Sequence, residues 1–162
     1  MTNPIISNLS TIHSLSEEKQ EENNLFKEYL RLANTTFVDS IVVKLNNEIS
    51  PQIDCTSCGN CCKSLMVNVN EQEANNLSAH LKISRSDFDE KYIEKGSSMM
   101  ILNSIPCHFL ANNACTVYEH RFGGCKEFPA LHLPNFRDRI FTTFMHYDRC
   151  PIIFNVVEQL KE

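Results

Sequence analysis

The sequence predicts a small single α+β domain, with a long helical region first and a cysteine-rich core behind it. Three observations predict this. A chain of 162 residues suits one domain large enough to bury a core without staples. Apolar residues keep helical spacing through the first fifty positions, then give way to short strand-like runs and turn signals. Eight cysteines all lie beyond residue 54, four of them packed into eight consecutive positions. The division read from this pattern is an N-terminal helical extension over 1–50 and a cysteine-cluster region over 51–162.

The balance of 15 lysines and arginines against 20 aspartates and glutamates leaves a net charge of −5. A nucleic-acid partner is not expected, because phosphate contacts need clustered cations. No apolar run approaches the ~20 residues of a membrane span. Met1 to Ser16 has neither a basic start nor a long apolar stretch, so it does not read as a signal peptide, and a cytoplasmic location is expected.

In chain order, residues 1–13 read as a loose polar arm. Ser14 with Glu17 forms a plausible capping box, and the apolar positions Phe26, Leu30, Phe37, Ile41, Leu45 and Ile49 follow at helical spacing. One long helix or two in tandem result, with a break near Asn34-Thr35-Thr36 and an end at Ser50-Pro51. The stripe is wide for a surface helix, so a protein partner docking there is the alternative to plain core packing. Leu65 to Val69 alternates as a strand; Asn70, with Glu73, caps a helix to about Leu81; a second helix spans about Ser86 to Lys95 and stops at Gly96. Met99 to Asn103 reads as a strand, and 107–110 with 114–118 as a hairpin turned by Asn112-Asn113. A helical turn over 118–122, a strand over 139–144 and a terminal helix opened by Cys150-Pro151 complete the reading.

The chemistry lies in the run Cys55-x2-Cys58-x2-Cys61-Cys62 and in Cys107, Cys115, Cys125 and Cys150. In a reducing compartment, cysteines this close more often hold metal than disulfides, and adjacent Cys61 and Cys62 cannot bond each other without strain. A divalent ion or an iron–sulfur cluster takes about four thiolates, so eight cysteines match two such sites or one polynuclear site. The C-x2-C knuckles favour zinc. The C-x2-C-x2-C run and the Cys150-Pro151 dipeptide favour iron, including a four-iron four-sulfur cluster. Lys63, Arg121, Lys126 and Arg149 sit beside cysteines as candidate donors to sulfur. His108, His120 and His146 could each replace a thiolate, but eight cysteines already fill two sites. No Ser/His/Asp arrangement, phosphate loop or dinucleotide fingerprint is present.

The run itself, with Cys107-His108-Phe109-Leu110, Cys115-Thr116-Val117-Tyr118-Glu119-His120-Arg121 and Cys125-Lys126-Glu127-Phe128-Pro129, resembles the YkgJ-type cysteine-cluster family, described as a zinc- or iron-chelating domain. The likeness covers about residues 53–151 and implies Cys55, Cys58, Cys61, Cys62, Cys107, Cys115, Cys125 and Cys150 as metal ligands. Arg121-Phe122 stands where that family has Arg-Pro, and Lys126 where it has arginine. A larger relative, the flagellin lysine methylase, has a similar motif, which keeps a protein-modifying role as an alternative. Redox or oxidant sensing through an iron–sulfur centre is another.

Overall fold

The computed structural model describes residues 3–162. The fold is α+β, mostly helical with a few short antiparallel strands. The chain divides into two compact units, one formed by residues 1–54 with 129–162, the other by 55–128.

The first unit is helical. Helices α1 (Leu9–Glu18), α2 (Gln20–Leu32) and α3 (Thr35–Ile49) follow one another. The helical start lies five residues before the expected Ser14 box, because the Asn8 carboxamide accepts the Thr11 amide and caps α1 there. Residues 9–13 are therefore helix, not a loose arm. The expected break falls where Asn34 caps α3 through the Phe37 amide, and α3 closes at Ile49 before a 3-10 turn containing Pro51.

Two C-terminal helices complete this unit: α9 (Ile140–Met145) and α10 (Pro151–Leu160), numbered after the helices of the second unit. Residues 140–145 are helix where a strand was expected over 139–144. A 3-10 turn at Phe136–Arg139 leads into this helix, and both amides that start the turn, Asn135 and Phe136, donate to the Asp39 carboxylate on α3. Ile140 and Thr143 are then buried at helical spacing. Helix α10 packs against α1 and α3, and its seven residues from Pro151 to Val157 are all buried. The buried Asn155 is satisfied by the backbone of Ile6, donating to its carbonyl at 2.7 Å and accepting from its amide at 2.9 Å.

The second unit holds α4 (Cys55–Cys58), α5 (Asn60–Ser64), α6 (Glu71–His80), α7 (Arg85–Tyr92) and α8 (Gly123–Glu127). Its sheet has the order β1-β3-β2, from Asn68–Val69, Met100–Leu102 and Ile93–Lys95, all antiparallel. The helix expected to reach Lys95 ends at Tyr92, because residues 93–95 pair with 100–102 and Gly96 lies in the connecting turn. The capping box at Asn70 and Glu73 forms in both directions. A two-stranded hairpin, β4 (Leu110–Ala111) and β5 (Ala114–Cys115), turns on Asn112 and Asn113 at φ of 49° and 62°. Asparagine tolerates that left-handed backbone better than most residues, which is why this pair marks a tight hairpin. Val69, Leu77, Phe88, Ile93, Leu102, Phe109 and Phe122 form the core, and Cys107, Cys115 and Cys125 pack against it.

Candidate metal centre

The cysteine run folds as two short helical turns about a glycine hinge. Cys55 and Cys58 stand three apart on α4, so both occupy one face. Gly59 then takes φ of +59°, and a Cβ there would lie 2.4 Å from the Asn113 carbonyl oxygen. Only glycine can make this turn against the hairpin without displacing backbone. Helix α5 follows at once and carries Cys61 and Cys62. Helix α4 packs against β5, the strand that bears Cys115.

A backbone hydrogen bond ties the first of the later cysteines to this turn. The Cys107 amide donates to the Cys62 carbonyl at 2.8 Å. The Phe109 amide points at the Cys107 sulfur at 3.5 Å, a contact that favours the thiolate. Cys115 pairs in register with Leu110 across the hairpin. Cys125 sits in α8, whose Gly123 amide donates to the Glu73 carboxylate at 2.6 Å. Glu73 thus caps α6 with one oxygen and anchors α8 with the other.

Electrostatics shows which sulfurs act on one another. The Cys62 thiol donates to Cys61, holding Cys61 down at about 6 while Cys62 itself is driven up. Thiolates at Cys107 and Cys115 also push Cys62 up. Burial raises Cys107, helped by charge at Cys115 and Cys61. Burial pushes Cys125 up to about 11, with Cys107, Cys61 and Cys115 adding to the rise and Arg121 opposing it. Cys62, Cys107 and Cys125 therefore lie in the field of neighbouring sulfurs, whose charge makes their protons harder to lose. A bound cation reverses that logic by stabilising several thiolates together. The donor set fits a thiophilic ion such as zinc or iron.

None of Cys58, Cys61, Cys62, Cys107, Cys115 and Cys125 is joined in a disulfide. Among the described residues, no three His, Cys, Asp or Glu side chains stand grouped so as to hold a metal ion. Cys150 belongs to the first unit, where it is buried at the N-cap of α10 and its carbonyl accepts the Phe154 amide. His108 Nε2 lies 2.6 Å from the Asn103 carboxamide oxygen, and His120 stacks on His80 with ring centroids 3.7 Å apart. His146 is buried in the first unit, and burial lowers its basicity. Among the candidate cations, Arg121 acts on Cys125 through its charge and stacks on the Tyr118 ring at 3.8 Å. Sequence reasoning missed the Glu73–Gly123 anchor. Its only signal was the capping box, which accounts for one carboxylate oxygen and leaves the other over.

A sequence model of the CxxCxxCC family, described as a "Putative zinc- or iron-chelating domain", matches residues 54–150. No curated protein and no solved structure matches the chain.

Proposed function

We propose that this chain, which belongs to the CxxCxxCC family, is a metal-binding protein that holds zinc or iron through thiolates drawn from its eight cysteines. The observation that carries the reading is the match of the zinc- or iron-chelating family model to residues 54–150, supported by the Cys107 amide on the Cys62 carbonyl and by Cys107, Cys115 and Cys125 packed against one core. Cys55 and Cys58, on the turn immediately before Gly59, complete the run, and Cys150 is the eighth candidate. A bound ion would supply charge compensation for buried thiolates and a cross-link between segments distant in sequence. The chain's own part is to present the sulfurs: Gly59 sets the angle between the two cysteine turns, the Cys107–Cys62 backbone bond fixes the hairpin, and Glu73 fixes α8. Eight cysteines, four of them within residues 55–62, suit a reducing compartment, and the cytoplasm is the proposed location.

Elemental analysis and the optical spectrum of anaerobically prepared protein test this. About two zinc ions in a colourless protein, or about four irons with sulfide in a brown one, support the reading and separate its two forms. Sub-stoichiometric metal refutes it. So does unchanged metal content in a C61S/C115S double variant.

A further inference from the structure

Helix α2 leaves Leu25, Tyr29 and Leu32 exposed by 70%, 65% and 89%, at the i, i+4, i+7 spacing of a single stripe. Helix α9, in the same unit, exposes Phe141 by 75% and Met145 by 46%, four residues apart. Rings join the two stripes. Tyr29 stacks on Phe26 with centroids 6.1 Å apart, Phe26 meets Phe144 edge-on at 6.5 Å, and Phe144 lies between Phe141 and Met145 along α9.

From this continuous apolar face we infer that the chain self-associates, two copies meeting through α2 and α9. At about 200 Å² for a large side chain, the five exposed residues present about 700 Å². That exceeds the largest patch of an ordinary monomer, about 300–600 Å². It approaches the ~800 Å² that each partner contributes to a stable interface. The rim selects the occupant. Glu28 and Arg31 form an ion pair on α2, Lys27 lies over the Phe144 ring, and Arg137 and Asp138 precede α9. Such a rim favours neither a uniformly acidic nor a uniformly basic partner. Placed about a two-fold axis, it meets its own opposite charges.

Sedimentation equilibrium of the full chain, metal-loaded as isolated and kept in reductant to exclude intermolecular disulfides, tests this. The wild type is expected at twice the monomer mass at micromolar concentration. Phe141→Glu and Leu32→Glu, both at exposed positions, are each expected to weaken the dimer at least ~100-fold with an unchanged circular dichroism spectrum. Leu32→Glu serves as the second variant should Phe141→Glu perturb α9. A wild type that stays monomeric at about 100 µM overturns the inference. A dimer that survives both substitutions does so as well.

Discussion

Two glycines of the second unit make opposite predictions for the same chemical change. At Gly59 the backbone is left-handed, which costs a residue with a Cβ about 1–2 kcal/mol. The added methyl would also stand 2.4 Å from the Asn113 carbonyl oxygen, a backbone atom of a tight hairpin that cannot swing aside. Overpacking of this kind costs a further 1–3 kcal/mol or so. Gly59→Ala is therefore expected to destabilise by about 2–5 kcal/mol, a fall in Tm of roughly 5–15 °C for a chain of this size. At Gly124, inside α8, a Cβ meets nothing within 4 Å and the backbone is not left-handed. Gly124→Ala is expected to be neutral or to stabilise by up to about 1 kcal/mol, from helix propensity alone.

The assay is thermal unfolding of both variants, followed by metal titration. Gly59→Ala should also lose at least about tenfold in metal affinity, because the hinge angle sets where Cys55 and Cys58 stand relative to Cys61 and Cys62. Gly124→Ala should bind as the wild type does. A Gly59→Ala protein as stable as the wild type would refute the hinge argument, as would a Gly124→Ala protein that is the less stable of the two.

Two further predictions concern ionisation. Burial alone would raise Glu158, but hydrogen bonds from Lys161, Lys19 and Tyr147 hold it below the usual carboxylate range. A carboxyl lowered by folding contributes stability that is complete above its unfolded value, near 4.5, and is lost as pH falls through the folded value. Glu158→Gln should thus cost about 1–3 kcal/mol at neutral pH and flatten the acid limb of the stability curve, read by urea unfolding from pH 7 to 3. In the metal-free protein, Cys61 should react with iodoacetamide along a pH profile centred near 6, since the thiolate is the nucleophile. Cys62→Ala removes the thiol that donates to it and should move that midpoint up toward the ordinary cysteine value, as followed by mass spectrometry.

What was legible in the sequence is what local hydrogen bonding dictates. The break at Asn34, the Asn70–Glu73 box, the Asn112-Asn113 turn and Pro151 at a helix start each act within four residues, and each stands where it was expected. The misread elements are those decided by distant partners. Ile140-Phe141-Thr142-Thr143-Phe144 has the composition of a strand, but Asp39, nearly a hundred residues away, organises the turn that leads into it as a helix. Residues 93–95 continue a helical pattern and are taken instead by pairing with β3. The cysteine run was visible as a motif. That Cys107 is tied to Cys62 through a backbone bond, and that Cys125 is held by way of Glu73, was not, because no local pattern encodes either contact.

The position of the sulfurs relative to the core leads to a last prediction, on metal removal. Phe88, Ala74 and Leu77 are almost fully buried, so α6 and α7 have an apolar anchorage of their own. Helices α4, α5 and α8 bury no residue fully, and the hairpin strands are two residues each. These cysteine-bearing segments rest on the edge of the core and on a few hydrogen bonds, too little to hold them rigid by themselves. Metal–thiolate bonds would supply the missing constraint. Chelation of the metal-loaded protein should therefore raise amide exchange at least about tenfold in residues 55–64, 107–116 and 123–127, while α6 and α7 keep their protection. Uniform loss of protection across residues 55–128 would mean that the metal organises the core itself. No change in the cysteine segments would mean that it organises nothing.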